Sequence, residues 1–171
     1  IVRDISNRKE RERDLRLKTQ AIEESSVGIT IADATDPETP LVYANRGFEA
    51  VTGYTMGDIN GQNCRFLQGE GTDEETVDEI RRAIDAEESI QTEILNYRAN
   101  GTPFWNELTI APVMDPENRE VTHYVGIQKD VTARKRRDRL IEVLDRVLRH
   151  NLRNDMNVVI GFSETIAART D

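Results

Sequence analysis

The chain has 171 residues, enough for one domain of ordinary size with extra helical segments. Its formal charge is -9 at pH 7, from 23 Lys and Arg against 32 Asp and Glu. This acidic excess argues against a nucleic-acid-binding surface, because phosphate binding needs clustered basic residues. The single cysteine, Cys64, excludes an intrachain disulfide and leaves little for a thiolate metal site, so no metal is expected.

Hydropathy and composition also bear on location. No apolar run approaches the roughly 20 residues of a membrane helix, and nothing near Ile1 is typical of a signal segment. We therefore expect a soluble piece of a longer protein, without a membrane segment and in a reducing, cytoplasmic location. Arg greatly outnumbers Lys, and together with the abundant Asp and Glu this resembles the composition of salt-adapted proteins from halophiles.

A pattern near the start of the chain recurs later. Residues 1–15 and residues 127–140 each consist of a short β-type run, an Asp with a Ser or Thr able to cap a helix, and a highly charged helical stretch. The pattern favours a repeated domain, in which residues 1–6 are the tail of a preceding copy and residues 7–25 are an incoming helix. Two unrelated charged helices are the alternative.

The middle of the chain alternates between strand and helix patterns. Residues 27–32 and 41–44 predict a hairpin across a proline-containing loop, and residues 46–51 and 56–59 suggest short helices. A stronger helix is predicted over residues 72–87.

That stronger helix has a start signal and one apolar face. Thr72 is the predicted N-cap, with Glu75 three residues later as in a capping box. Val77, Ile80 and Ile84 recur at helical spacing, so they predict the side of the helix that faces the core.

Three strands are predicted to follow, over residues 90–98, 104–114 and 121–130, the first two joined by an Asn100-Gly101 turn. Two strands, a group of small helices and three further strands describe an α+β fold. We expect a five-stranded antiparallel sheet with small helices on one face, flanked by N-terminal and C-terminal helices.

After Thr132 the pattern becomes helical. Apolar residues recur at helical spacing among charged ones, at positions 140, 143 or 144, 147, 148 and 152. This stripe suits a parallel homodimer formed through the helices.

The most informative peptide is Gly61-Gln-Asn-Cys-Arg-Phe-Leu-Gln-Gly69. A lone cysteine is more often an inert packing residue. Three further segments accompany it: Val42-Tyr-Ala-Asn-Arg-Gly-Phe-Glu-Ala-Val-Thr-Gly-Tyr54, Asn96-Tyr-Arg-Ala-Asn-Gly-Thr-Pro-Phe-Trp-Asn106 and Tyr124-Val-Gly-Ile-Gln-Lys-Asp-Val-Thr132. In order and spacing they resemble the light-oxygen-voltage (LOV) family, the flavin-binding photoreceptor branch of the PAS domains.

The resemblance covers residues 27–132 and implies a PAS-type domain at residues 26–132. Residues 1–25 would be the tail of an upstream PAS-like domain with its incoming helix. The implied cofactor is FMN. Cys64 matches the cysteine that bonds reversibly to carbon C4a of the flavin in blue light, as a light-activated nucleophile.

The resemblance also assigns binding roles. Arg65 and Arg81 match arginines that hold the terminal phosphate, and Asn63 and Gln68 match contacts to the ribityl chain. The remaining implied contacts are Asn96 and Asn106 at the pyrimidine edge, Thr30, Val77, Leu108 and Ile110 along the pocket, and Gln128 near O4 and N5. Taken singly, such Asn and Gln usually bond backbone or water, and such arginines are usually solvated.

Gln128 has a further implied role. When the adduct forms, N5 changes from hydrogen-bond acceptor to donor. A carboxamide can present either its oxygen or its NH2 group, so it can respond by reorienting. Because Gln128 is three residues before Val131, the resemblance suggests that it relays the change to the outgoing helix.

A second motif is Val147-Leu-Arg-His-Asn-Leu-Arg-Asn-Asp155. It resembles the phosphoacceptor box of archaeal-type, haloarchaeal-like sensor histidine kinases, with His150 as the phosphorylated residue. Asn151 follows the histidine where an acidic residue is common, and a plain solvent-facing histidine is the alternative. Residues 133–171 would then be the exit helix and the truncated start of the dimerisation and phosphoacceptor helix.

The sequence also bears on kinase activity and leaves two rival functions open. No glycine-rich phosphate loop follows the histidine, so this piece is not expected to phosphorylate itself, and a response regulator would be served by the full-length kinase. Rival functions are a redox- or ligand-sensing PAS module without productive photochemistry, and a dimerisation scaffold with a vestigial pocket.

Overall fold

The chain folds into two units, residues 1–131 and residues 132–171. This computed structural model describes the backbone of residues 2–167 and the side chains of residues 8–150. Along the chain the elements are α1 (Val2–Glu23), β1 (Gly28–Asp33), β2 (Leu41–Ala44), α2 (Arg46–Thr52), α3 (Met56–Ile59), a 3₁₀ helix (Cys64–Leu67), α4 (Glu74–Asp85), β3 (Ile90–Tyr97), β4 (Pro103–Met114), β5 (Val121–Asp130) and α5 (Thr132–Ala167).

The five strands form one antiparallel sheet in the order β2-β1-β5-β4-β3. This confirms the predicted α+β fold with a five-stranded antiparallel sheet. Side chains alternate between the two faces of each strand, and on β5 the buried positions are Tyr124, Gly126 and Gln128, while Ile127 is exposed. One sheet face therefore collects the buried polar residues.

The apolar core lies beneath the short helices. It consists of Ala44, which is 9 % exposed, and of four residues at most 2 % exposed: Leu41, Phe48, Ile59 and Leu67. Full burial of such a side chain contributes about 1.5–3 kcal/mol. This cluster holds the 3₁₀ helix that carries Cys64 against the rest of the domain.

Helix α1 corrects the prediction of a β-type tail at residues 1–6, because the backbone is helical from Val2 onward. A strand needs a partner strand for its backbone groups, whereas a charged helix satisfies them internally. Pairs four residues apart support this helix: Arg8 with Glu12 at 3.0 Å, and Lys18 with Asp14 at 2.6 Å.

The end of α1 is fixed to the sheet by Asn45, which is completely buried. Its Oδ1 accepts from the backbone N–H of Ile29 at 2.7 Å and of Phe48 at 2.9 Å. Its Nδ2 donates to the carbonyls of Ile22 at 2.7 Å and Val27 at 3.1 Å. One amide thus joins α1, β1 and the start of α2.

The start of α4 differs from the sequence prediction. The N-cap is Asp73, whose carboxylate accepts from the backbone N–H of Thr76 at 2.9 Å. Thr72, the predicted cap, instead donates its hydroxyl to the carbonyl of Leu95 at 2.7 Å. Asp and Thr both cap helices well, so local preference alone did not separate the two positions.

Helix α5 forms the second unit. Its described apolar side chains are exposed: Leu140, Ile141, Val143, Leu144, Val147 and Leu148. Charged pairs four residues apart accompany them, including Arg146 with Glu142 at 3.5 Å. Position 152 of the predicted stripe lies outside the described side chains.

A search of the described residues for a helix long and apolar enough to cross a membrane found none.

Candidate functional site

A cavity lies between the buried sheet face, the 3₁₀ helix and α4. Its volume is about 150 Å³, roughly ten times the space that one water molecule requires. The predicted site residues that line it are Thr30, Asn63, Cys64, Arg65, Gln68, Asn96, Asn106, Leu108, Ile110 and Gln128. Residues from strands, loop and helix therefore meet at one place.

Two predicted contacts lie outside the cavity lining. Val77 is half-buried on α4, and Arg81 is exposed and paired with Asp78 at 2.5 Å. The helix faces the cavity through Ile80 and Ile84 instead. The structure thus does not bring Val77 and Arg81 together with the other predicted residues.

Several lining residues were not among the predicted contacts. They are Ala32, Thr39, Leu41, Leu67, Ile80, Ile84, Ile94, Tyr124 and Gly126. Helical spacing already placed Ile80 and Ile84 on an apolar face, which was the available signal. Tyr124 closes one side, since its hydroxyl donates to the carbonyl of Ile84 at 2.9 Å.

Cys64 is half-buried and begins the 3₁₀ helix. The cap of this helix is Asn63, whose Oδ1 accepts from the Arg65 N–H at 3.0 Å while its Nδ2 donates to the Glu38 carbonyl at 2.7 Å. Burial raises the pKa of the Cys64 thiol from 9.0 to about 12. The sulfur therefore carries its hydrogen at neutral pH.

Two asparagines form a polar pair on β3 and β4. Asn106 donates its Nδ2 to Oδ1 of Asn96 at 2.9 Å, and both side chains are buried. Asn106 Oδ1 accepts from the Lys129 N–H at 3.2 Å, which ties the pair to β5. Each carboxamide has an N–H beyond those used in these bonds, so the pair can meet a ligand that presents acceptors.

Gln128 is 1 % exposed, and its two amide atoms differ in their bonding. Nε2 donates to the Thr30 hydroxyl at 3.1 Å, whereas Oε1 has no hydrogen-bond partner among the described residues. A buried polar atom without a partner is costly, and native proteins rarely leave one without reason. Gln128 lines the cavity, while its Oε1 is enclosed on the side of Gly28, 3.2 Å from where a Cβ on that glycine would lie.

The rim of the cavity carries a positive group. Arg65 lines it and is paired with Glu38 at 2.9 Å, with both side chains mostly exposed. An exposed pair of this kind contributes only about 0–1 kcal/mol, so a phosphate can replace the carboxylate at little cost. A guanidinium at the rim suits the terminal phosphate of FMN.

Two remaining predictions concern other positions. His150 lies on α5 with an exposed side chain, and the side chains of residues 151–155 of its motif are outside those described. Within the part of the chain that is described, no group of three or more His, Cys, Asp or Glu residues could hold a metal ion.

Comparison with known proteins gives consistent matches. The profile of the PAS domain family covers residues 26–133. A bacterioopsin transcriptional activator of Halobacterium salinarum is 44% identical over 85% of this chain and 22% of its own length. A blue-light-activated histidine kinase of Brucella anthropi is 46% identical over 67% of this chain and 23% of its own length. The chain thus spans less than a quarter of these two relatives, and the first agrees with the halophile-like composition.

Solved structures agree with the family match. The LOV domain of the Erythrobacter litoralis EL346 blue-light-activated histidine kinase is 44% identical, with a TM-score of 0.58 over 61% of this chain and 95% of that one. An RNA-binding light-oxygen-voltage receptor is 44% identical, with a TM-score of 0.70 over 79% of this chain and 38% of that one. Sequence motifs, fold and matches lead to one conclusion: the chain belongs to the PAS domain family and, within it, to the light-oxygen-voltage domains.

Proposed function

We propose that this chain is the blue-light-sensing module of a signalling histidine kinase, which binds FMN and forms a reversible bond between Cys64 and the flavin. The observation that carries the proposal is the meeting of Cys64, Gln128 and the Asn96–Asn106 pair around one cavity. A thiol and carboxamide side chains around the same space are what the chemistry of a photoactive flavin requires. The relatives that are named as blue-light receptors support it.

Cys64 is the reacting group. With FMN bound, blue light would let Cys64 give its thiol hydrogen to N5 and its Sγ to C4a, a transfer that balances with no other reactant and would reverse in the dark. The pKa of about 12 keeps the hydrogen on sulfur before illumination, so a neutral thiol supplies it.

The surrounding residues bind and orient the cofactor. Asn96 and Asn106 offer N–H groups from a pair that is already fixed to the sheet. Arg65 at the rim would hold the terminal phosphate in place of Glu38, which favours FMN over riboflavin. Arg81 would have to leave Asp78 to contribute, so we assign the larger part of phosphate binding to Arg65.

The signal would pass from the cavity to the exit helix α5 through strand β5. Gln128 lies on β5, and three residues later the N–H of Val131 donates to the carbonyl of Trp105 on β4 at 2.9 Å. Arg98 also holds Asp130, the last residue of β5, at 2.5 Å. A change in the bonding of Gln128 is thus close in sequence to the contacts that hold the end of the strand.

The exit helix would carry the signal to a kinase. Its exposed apolar residues support pairing of two copies as a parallel homodimer, and His150 is our proposed phosphoacceptor. Phosphotransfer to a response regulator belongs to the full-length kinase. The net charge of -9 gives no support for RNA binding like that of the structural neighbour.

The decisive experiment is the visible spectrum of the purified protein before and after a blue flash, with Cys64→Ala as comparison. Reversible loss of the flavin band that is absent in the variant supports the adduct. A yellow protein that does not bleach indicates a flavin-binding PAS sensor of another kind. A colourless protein that FMN cannot reconstitute favours the dimerisation scaffold.

A further inference from the structure

We propose that Glu38 is a specificity-determining residue at the rim of the cavity, because its carboxylate competes with the terminal phosphate of the cofactor for Arg65. Glu38 thereby lowers the preference for FMN over riboflavin, which lacks the phosphate. This role rests on the proposed function and adds a residue that lies outside the motifs of the sequence.

Arg65 is the group for which the two anions compete. It lines the cavity, and its Nη2 lies 2.9 Å from Oε2 of Glu38. The side chains of Arg65 and Glu38 are 62 % and 78 % exposed, and so exposed a pair is weak enough to exchange partners. A phosphate offers the guanidinium more charge and more acceptor oxygens than a carboxylate does. Arg65 can therefore change from Glu38 to the phosphate, but the phosphate must first displace the carboxylate.

The backbone of Glu38 is fixed beside Arg65. The carbonyl of Glu38 accepts from Asn63 Nδ2 at 2.7 Å, and Asn63 Oδ1 accepts from the Arg65 N–H at 3.0 Å. On its other side the N–H of Glu38 donates to Oδ1 of Asp36 at 2.9 Å. One asparagine thus links the backbones of the two charged residues, so Glu38 stays near Arg65 even when the ion pair is broken.

The charges of the two arginines predicted to hold the phosphate are balanced by carboxylates. Arg65 is paired with Glu38, and Arg81 is paired with Asp78 at 2.5 Å. A phosphate brings about two negative charges near pH 7. When it takes Arg65, Glu38 loses its partner and lies close to a like charge. Riboflavin brings no such charge and leaves the pair intact, so the cost falls on FMN alone.

Glu38→Gln tests this role, since it removes the charge of an exposed side chain and keeps the backbone bonds. FMN is expected to bind about threefold more tightly, while riboflavin affinity stays within about 1.5-fold, because only a weak pair holds Arg65 in the parent. Titration of flavin fluorescence in the dark measures both affinities. The matched control is Glu10→Gln, exposed on α1 and outside the cavity lining, with the ratio of the two affinities unchanged.

Two further measurements test whether Arg65 is the group in competition. In an Arg65→Ala background, Glu38→Gln should change the ratio of FMN to riboflavin affinity less than in the parent, because no guanidinium is released. Raising NaCl from about 0.1 M to about 1 M should also reduce the effect, since the Debye length falls from about 10 Å to about 3 Å. An equal change in the parent and in Arg65→Ala would overturn the competition.

The proposed function and the role of Glu38 fail in different ways. A parent protein that binds FMN in the dark but does not bleach overturns the photochemical function, while the two affinities still decide the role of Glu38. A Glu38→Gln variant that keeps the parent ratio of FMN to riboflavin affinity overturns the role of Glu38 and leaves the photochemistry of Cys64 untouched.

Discussion

Asn106 and Asn96 are joined by a 2.9 Å hydrogen bond although they are not directly paired in the β3–β4 ladder. Asn106 is opposite Ile94 and Asn96 is opposite Phe104, so the two asparagines are diagonal neighbours on one face. Because Asn106 also accepts from the Lys129 N–H, it is the fixed member of the pair. Its amide orientation is therefore set by the protein before any ligand binds.

This arrangement predicts unequal effects of two substitutions on FMN affinity. Asn106→Ala removes the bonds to Asn96 and to β5, so we expect FMN to bind about tenfold more weakly or worse. Asn96→Ala leaves the bond to β5 intact and should have the smaller effect. Titration of flavin fluorescence measures both, with the exposed Asn60→Ala as control. Equal losses for the two variants would contradict the ranking.

The Cys64 thiol predicts a pH dependence of stability. Its pKa is raised from 9.0 to about 12 by burial, so the native state holds the thiol hydrogen more tightly than the unfolded chain. This contribution is fully present below pH 9 and is lost as the pH rises toward 12. The free energy of unfolding should thus fall over that window, by at most about 1.4 kcal/mol per pH unit from this group.

Cys64→Ala isolates that effect in urea titrations at pH 8 to 11. The Tyr43 pKa is also raised to about 12, by burial and by its bond to Glu23, and contributes to the slope in both proteins. Subtracting the pH dependence of the variant from that of the parent leaves the contribution of Cys64. Parallel curves for parent and variant would show that burial does not raise the pKa of Cys64.

Substitution of Asn45 is predicted to cause a large loss of stability. Asn45→Ala removes four hydrogen bonds from a completely buried position and leaves backbone groups without partners. We expect the free energy of unfolding to fall by about 3 kcal/mol or more. Asn45→Asp keeps the acceptor but loses both donors to Ile22 and Val27, so it should also destabilise. Urea unfolding measures this, and a loss no larger than that of exposed Asn60→Ala would contradict the prediction.

The acidic surface predicts stabilisation by salt. With a net charge of -9, the excess carboxylates repel one another in the folded state, and salt screens that repulsion. Raising NaCl from about 0.1 M to about 2 M should raise the melting temperature by several degrees, because about 1 kcal/mol corresponds to roughly 2–4 °C at this size.

The control changes charge without touching the cavity. Glu70→Lys together with Glu88→Lys adds four positive units to the net charge of -9, which gives -5. Both positions are exposed, so the fold should be unaffected. The salt dependence should become smaller in this variant, and an unchanged dependence would mean that net charge is not its cause.

Much of the fold was predictable because the turn signals are strong. The Asn100-Gly101 turn falls between β3 and β4, with Gly101 at φ 78°, a conformation that favours glycine. The β-type run predicted at residues 1–6 is helical from Val2 onward in the structure, because periodicity does not reveal whether a strand partner is present; the assignment of residues 1–25 to an upstream domain and its incoming helix stays a prediction. The 3₁₀ helix at Cys64 was not predicted either, since so short a turn depends on the Asn63 cap and on packing.

The cavity was predictable where motif residues carry polar groups, and less so along α4. Helical spacing placed Val77, Ile80 and Ile84 on one face, but a face is wider than the strip that reaches the cavity. Tyr124 lines the cavity, and its hydroxyl donates to the carbonyl of Ile84, a tertiary contact that no local sequence pattern encodes. The lining was thus predicted mostly through the family resemblance, and along α4 periodicity pointed to Ile80 and Ile84 without separating them from Val77.

The position of β5 has a consequence for durability. It lies between β1 and β4, hydrogen-bonded on both sides, and it is the strand that precedes α5. A strand held on both edges cannot detach without opening two ladders, so we expect light to act by rearranging side chains on an intact sheet. Such a sensor can be switched many times without exposing strand edges, which is the usual route to aggregation.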